Sequence, residues 1–397
     1  MPHDLSPPPN ERDSAPPNER DFAPPNGRDF APPDERDFAP PNERDFAPPK
    51  GRDFADLSVI IVNWNVRDLL RNCLNSLLAS PGIAWVGGPM RGDSVNQVPD
   101  EGRVTMPPPL PQALSAEVIV VDNASSDGST AMLEAVFPWI RLVASPENLG
   151  FTGGNNLAIP LSRGRYVLFL NPDTEVVGSA LAAMVACMED HPEIGVLGPE
   201  LRYGDGSRQS SRRRFPTFGI ALFESTPLAW HWPDNPWARR YHMDDVPVPG
   251  ADPGEVQVVD WVVGAALLVR RKALEQVGGF DEGYFMYSEE LDWCRRAKTA
   301  NWQAAYFSGA QVVHHEGKSS EQGIAERHIR FQTSKVRYFR KVHGVLTAWV
   351  LQTSILAMFS IEWGLEAVKW LLGSRRDLRR ERMAAYGQLL KSGLRET

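Results

Sequence analysis

A chain of 397 residues that is 42% hydrophobic and 23% charged is long enough for one large α/β domain with appendages, or for two ordinary domains, and too apolar to be disordered throughout. A formal net charge of -8 argues against a general nucleic-acid binder, because counterion release needs a concentration of Lys and Arg that the chain as a whole lacks. The three cysteines, Cys73, Cys187 and Cys294, are odd in number and outside any CxxC spacing, which argues against a disulfide framework or a zinc site and for a reducing compartment.

In chain order, residues 8–55 repeat an octad, PPNERDFA with small variations, six times. Two prolines per unit forbid helix and one Phe cannot offset chain entropy, so residues 1–56 are expected to form a disordered, partly polyproline-II tail, either a spacer or docking arm or an idle expansion. Pro, Asp, Glu and Arg interrupt every stretch there that could be the core of a secretory signal. The catalytic part is therefore expected in the cytoplasm, and the sequon at Asn123 is expected to stay unmodified.

LSVIIV, from Leu57, is a β-branched run bounded by Asn63, and the segment through Leu78 spaces Leu69, Leu70, Cys73, Leu74 and Leu77 along one helical face. The Pro- and Gly-rich stretch 81–115, with PPPLP at 107–111, reads as a surface insertion. EVIVVD at 117–122 predicts a second buried strand, with a helix from about Ser129 to Val136 behind it. YVLFLNPD at 166–173 predicts a third, with a helix through Met188. Such alternation implies an α/β fold: a mostly parallel sheet flanked by helices, with its ligand at the carboxyl ends of the strands.

Polar signatures fall at those ends: Asn63-Trp64-Asn65, then DNASSDGS from Asp122, then Asn171-Pro172-Asp173. Asp122 can accept hydrogen bonds from a pyrimidine ring, and the small residues after it let backbone approach a ribose; the same segment also reads as an Asx turn capping the next helix. Gly150, Gly153 and Gly154 with Asn148, Asn155 and Asn156 read as a flexible polar loop opening a helix, suited to sugar or phosphate. Gly317-Lys318-Ser319 lacks the glycine that a phosphate-binding loop needs five residues earlier, where Val312 stands. No GxGxxG follows the first strand, so a nucleoside-triphosphatase and a dinucleotide oxidoreductase both fall away.

VNWN, VDNASSDGS, ENLGFTGGNN, FLNPDT, GGFDEGYFMYSEELDWCRR and HHEGKSS occur in this order between about 57 and 320. Together they resemble the family 2 glycosyltransferases of GT-A fold, in the branch usually described as rhamnosyltransferases. The resemblance implies a nucleotide-diphosphate sugar donor held by Asn63, Asn65, Asp122, Asn123, Ser125, Asp127, Asn148, Gly150, Gly153, Asn155, Asn156 and Asn171. It implies a divalent cation, Mg²⁺ or Mn²⁺, on Asp173 of a degenerate Asp-x-Asp motif, with Asn171 in the first acidic position. His314 is the second metal candidate, because its H-x-x-G-x-S spacing with Gly317 and Ser319 fits the family best; His314 and His315 face opposite ways on a strand, so only one can reach a site, and a structural histidine is the alternative. Glu289 and Glu290 occupy the place of the family's acidic pair, with Glu290 as general base; the family more often carries Asp there, one methylene shorter. Arg213 and Arg214 are candidates to meet a phosphorylated acceptor, and Trp261, in DWVVGAALLVRR, to edge the acceptor pocket.

Beyond Ser320 lies a basic, then apolar and aromatic, then basic region, 321–397, in which residues 345–361 are continuously apolar. Its length is at the short limit for a span, and basic flanks on both sides favour a re-entrant or interface-lying helix pair over a single crossing; a buried core pair is the alternative. The expectation is an inverting, hexosyltransferase-type enzyme at the cytoplasmic face of the cell membrane. It would move a sugar, L-rhamnose from a dTDP donor, to a lipid-linked or cell-envelope glycan. A non-catalytic nucleotide-sugar-binding assembly partner is the alternative class.

Overall fold

The computed structural model describes residues 55–88, 113–226, 232, 235–248, 255–315, 324–373 and 375–395, all within one unit of the chain, Glu43–Thr397. The octad tail through residue 54, the PPPLP part of the insertion and the Gly317-Lys318-Ser319 segment lie outside the described residues. The described residues begin two before Leu57. Ala55 is buried, and Asp56 accepts hydrogen bonds from the Ser115 backbone N–H and hydroxyl while pairing with Arg165 at 2.8 Å.

The first half is built as the apolar spacing predicts. Strand β1 (Leu57–Asn63) is buried along its whole length, and helix α1 (Arg67–Ala79) turns Leu70, Cys73, Leu74 and Leu77 inward. The expected insertion begins with an edge strand, β2 (Ile83–Trp85), paired parallel to β3 (Leu114–Asn123). Helix α2 (Ser129–Val136), strand β4 (Arg141–Ser145), helix α3 (Gly150–Ala158), β5 (Tyr166–Leu170), β6 (Thr174–Val176) and helix α4 (Ala180–Asp190) follow. β1 pairs parallel with both β3 and β5, so Asn63 lies level with Asp122 and just beyond the end of β5.

The second half departs from a mostly parallel sheet. After β7 (Ile194–Arg202), β8 (Arg208–Gln209), β9 (Arg212–Arg213), α5 (Phe218–Glu224) and α6 (Pro236–Tyr241) come β10 (Val256–Val259), β11 (Trp261–Val262) and β12 (Ala266–Arg270). β12 runs antiparallel between β5 and β7. Helices α7 (Arg271–Val277) and α8 (Glu289–Thr299) then lead to β13 (Gln303–His314), parallel to β7 but antiparallel to β6 and β10. Among the described residues the main sheet has 11 strands, with the path β10-β13-β7-β12-β5-β1-β3-β2. The antiparallel insertion of β12 brings the turn before it, at Gly264 and Ala265, back to the carboxyl end of β5, where Ala265 O accepts from Asn171 N at 2.9 Å.

Period-two alternation divides β1 between two cores. Leu57, Val59 and Ile61 pack against α1 and α4, whereas Ile60 and Val62 join the opposite face. That second core continues into helix α9 (Ile324–His343) and helix α10 (Val345–Leu371) through Val336, Tyr338, Phe339, Ala348, Leu351 and Ile355. The boundary expected near residue 320 thus separates compositions, not packed bodies. Helix α11 (Arg376–Ser392) folds back on α10, where buried Glu366 meets Arg379 at 2.7 Å. In place of the expected apolar helix pair stands one apolar helix, α10, which continues unbroken through Glu362 and Glu366 to Leu371, between the basic helices α9 and α11.

Candidate active site

At the ends of β1 and β3 the polar side chains brace one another. Asn63 Nδ2 donates to Asp122 Oδ1 at 2.8 Å and to Ser125 Oγ at 3.1 Å, while Asp122 Oδ2 accepts from Ser125 N at 2.9 Å. Ser125 Oγ also receives Asn65 N, and Asn65 Oδ1 receives Ser126 N. Two non-glycine residues here are left-handed, Asn65 at φ 53° and Ala124 at φ 58°, a strain that tertiary contacts must hold. Asp127 does what an Asx turn does: it accepts from Ser129 N and Oγ at the start of α2 and from Arg67 N at the start of α1. Its carboxylate thus bridges two helix ends at the rim of the crevice.

The expected flexible loop at 148–156 is a helix. Asn148 Oδ1 accepts from Gly150 N and opens α3, which runs through Gly153, Gly154, Asn155 and Asn156. Its glycines serve close approach. A Cβ on Gly154 would lie 2.8 Å from the Val62 side chain, and one on Gly150, at φ 73°, 2.4 Å from Phe285 O. Asn123 Nδ2 holds Gly150 O at 2.8 Å. Asn156 is a strut instead of a sugar ligand, donating to Phe280 O and Glu282 and accepting from Phe280 N.

That strut fixes the segment delivering the acidic pair. Tyr287 (φ 71°) and Ser288 (φ 66°) are consecutive left-handed residues immediately before α8 and swing Glu289 and Glu290 into its first turn. Glu290 Oε1 accepts a long, 3.4 Å hydrogen bond from Gly264 N. Burial, reinforced for Glu289 by the neighbouring Glu290 charge, holds Glu289 well above the usual carboxylate range; burial likewise raises Glu290, against the lowering pull of backbone N–H groups.

Asp173 and His314 meet across β6 and β13. His314 Nε2 lies 3.4 Å from Asp173 Oδ1, and both residues are buried. Gln209 Oε1, 3.0 Å from His314 Nδ1, takes that nitrogen's proton in a hydrogen bond and leaves the Nε2 lone pair facing Asp173. His315 turns the other way, to Glu175 at 2.8 Å. The Asn171 backbone ties to Ala265 and Thr174, next to the same crevice.

Seven buried polar atoms around these elements have no hydrogen-bond partner among the described residues: Asn63 Oδ1, Asn123 Oδ1, Thr152 Oγ1, Asn155 Oδ1, Asp173 Oδ1, Glu289 Oε2 and Glu290 Oε2. Buried polar atoms are overwhelmingly paired in folded proteins, so such a concentration marks surface shaped for a polar ligand. Asp173 Oδ1 beside an imidazole nitrogen is a donor pair that suits a divalent cation. Among the described residues no group of three or more His, Cys, Asp or Glu forms a self-sufficient metal cage.

The three arginines before Phe215 separate. Arg212 is buried among Gln257 and the carbonyls of Pro247, Met243 and Val246. Arg214 pairs with Asp245 at 2.8 Å and donates to Arg240 O, both through Nη1, so its Nε and Nη2 groups are not engaged by these contacts. Arg213 bonds Ser210 and the Arg212 carbonyl and lies 5.9 Å from the Tyr241 ring centroid, with no carboxylate partner among the described residues. Trp261, buried, donates Nε1–H to Arg214 O and lines a pocket together with Glu290. No motif spacing in the sequence marks Gln209 or Thr152 as site residues.

A family model described as glycosyl transferase family 2 matches residues 110–255. The N-acetylglucosaminyl-diphospho-decaprenol L-rhamnosyltransferase of Mycobacterium tuberculosis (strain H37Rv) is 34% identical over 214 residues, covering 51% of this chain and 67% of that protein. The rhamnosyltransferase WbbL of Escherichia coli (strain K12) is 26% identical over 203 residues, 48% of this chain and 70% of that protein. A solved mannosyltransferase from Pyrobaculum calidifontis, in complex with GDP-Man and Mn²⁺, is 14% identical with a TM-score of 0.45, covering 87% of this chain and 88% of that one. With a mycobacterial relative matched at a third of positions over two thirds of its length, the chain belongs to the family 2 glycosyltransferases, GT-A in fold and rhamnosyltransferase-like.

Proposed function

We propose that this glycosyltransferase is an inverting, divalent-cation-dependent hexosyltransferase. In this reading it moves L-rhamnose from a dTDP donor to a hydroxyl of a lipid-linked or cell-envelope glycan at the cytoplasmic face of the membrane. The observation that carries it is the pairing, on one crevice at the strand ends, of an unpartnered Asp173 carboxylate oxygen 3.4 Å from His314 Nε2 with a buried, partly free Glu290 carboxylate. The names of the mycobacterial and Escherichia coli relatives support the sugar, and the former supports a diphosphate-linked lipid acceptor.

Asp173 Oδ1 and His314 Nε2 would hold the cation, whose remaining sites fall to diphosphate oxygens and water. When bound, it supplies positive charge to the departing diphosphate. Gln209 keeps the imidazole in its ligating tautomer. Asn63, Asn65, Asp122 and Ser125 form a rigid shelf for the nucleoside, with Asn63 Oδ1 and the spare lone pairs of Asp122 left to receive it. Glu290 takes the acceptor hydroxyl proton as that oxygen bonds to the anomeric carbon. The bond from this carbon to the phosphate oxygen breaks in line, and its electron pair leaves with the nucleoside diphosphate, inverting the anomeric centre.

A screen of nucleotide sugars with Mg²⁺ or Mn²⁺, scored by donor hydrolysis and by transfer, tests the reading. Asp173→Ala should weaken cation and donor binding together in calorimetry. Donor bound equally well by this variant with and without metal would remove Asp173 from the proposal, and silence with every donor would favour the non-catalytic alternative.

A further inference from the structure

Beside Glu290 lies a cavity of about 100 Å³ whose walls include Tyr241, Trp261, Tyr287, Lys335 and Phe339. At roughly 10–15 Å³ per water position it has room for several waters, about the displacement of one pyranose ring. Aromatic faces on several sides suit the C–H faces of a sugar. One wall carries Lys335 beside Glu224, a carboxylate that lines the same cavity. Lys335 is 7% exposed, yet its ammonium has only long contacts: Ser225 Oγ at 3.3 Å, Ala221 O at 3.5 Å and Glu224 Oε2 at 3.6 Å, with the Phe331 ring centroid 4.8 Å away. Charge-assisted bonds are ordinarily about 2.7–2.9 Å, so a cation removed from water here lacks the close partner that would compensate it.

Lys335 lies on α9, and the chain passes at Gly344 directly into α10, which exposes Val345, Leu346 and Trp349. The same hairpin therefore offers a buried ammonium at the pocket and, farther along, apolar surface open to a lipid chain.

Resting on the reading of Glu290 as the base, we infer that this pocket is the acceptor subsite and that it takes a sugar carrying a phosphate or diphosphate at its reducing end, with Lys335 as the counterion. Lys335 then discriminates between acceptors by charge.

The test compares three acceptors bearing the same sugar, a neutral alkyl glycoside, its 1-phosphate and a short-chain prenyl diphosphate, with one donor and the full-length protein. In the wild type, kcat/KM should be higher for both anionic acceptors. Lys335→Gln should reduce the ratio of anionic to neutral kcat/KM about 10-fold or more, the scale of one hydrogen bond to a charged group, with the change mainly in KM. Lys335→Arg should recover part of it. Glu224→Gln, which removes the competing carboxylate, should leave the ratio at or above the wild-type value. A ratio unmoved by Lys335→Gln, or lowered as much by Glu224→Gln, would mean the pair only joins α5 to α9 and would overturn the inference while leaving the transferase reading intact. A greater gain for the prenyl diphosphate than for the 1-phosphate assigns the second phosphate or lipid a share. Absence of transfer to any acceptor by the wild type would overturn both readings.

Discussion

Glu289 and Glu290 differ by one position and by what surrounds each carboxylate. Glu290 touches Gly264 N and lines the pocket, whereas Glu289 is buried with the more strongly raised carboxyl. Glu290→Gln is expected to slow single-turnover transfer about 10²- to 10⁴-fold with donor affinity nearly unchanged, and Glu289→Gln to keep more than about a tenth of the rate. A base acts only when deprotonated, so wild-type transfer should fall as pH drops through the raised Glu290 value, and the residual rate of Glu290→Gln should lose that limb. Stability runs the other way. A carboxyl whose folded pKa is raised contributes stability below its unfolded value, about 4, and loses it as pH rises through the folded value. Glu289→Gln should therefore raise the melting temperature in alkaline buffer and leave it unchanged near pH 4; a uniform fall would show that its carboxylate is needed for packing. Asp173 and Glu290 could be found in the sequence because they sit in contiguous motifs. Gln209 could not, because it lies 105 positions from His314 and meets it only once the chain between them has folded.

Helix α3 shows how composition misleads at the level of one element. GFTGGNN has the glycines of a loop, and propensity alone argues against helix. Tertiary contacts override that preference: the Cβ-less face lets α3 lie on Val62, Asn123 and Phe285, and no larger residue fits. Gly150→Ala forces both a left-handed φ and a collision with Phe285 O, and should cost about 1–3 kcal/mol or more. Phe151 N bonds the same carbonyl at 2.9 Å, and the chain from Phe285 runs straight to Tyr287, Ser288 and the acidic pair. Transfer should therefore fall by more than the folded fraction explains, as activity per folded molecule would reveal. The strands β1, β3 and β5 could be read because buried parallel strands are continuous apolar runs. Short β6 and β8 carry no such run and exist by pairing with longer neighbours, and β9 pairs with the equally short β11.

Across the whole molecule, the mixed sheet places the site, while α9, α10 and α11 decide what surface the protein presents. α10 is long and apolar enough to cross a membrane, and only 17% of its most apolar 18-residue window is buried. Its inner side is seated in the protein core through Ala348, Leu351 and Ile355, which favours an interface-lying hairpin over a crossing. With Arg340 and Lys341 before it and Arg375 and Arg376 after it, the hairpin should bind vesicles containing anionic lipid more tightly than neutral ones. Replacing exposed Val345, Leu346 and Trp349 together by Ser should abolish co-flotation while preserving the fold. Flotation equal to wild type would remove the membrane role of α10.

The three cysteines bear on how that contact can be watched. Cys73, Cys187 and Cys294 are free and buried, and desolvation pushes each thiol up to about 12. At neutral pH about one thiol in 10⁵ is then thiolate, the form that alkylating reagents attack. The native chain should therefore be silent toward maleimides, so one cysteine introduced at exposed Leu346 is expected to give a single-site fluorescent reporter without first stripping out the natural thiols.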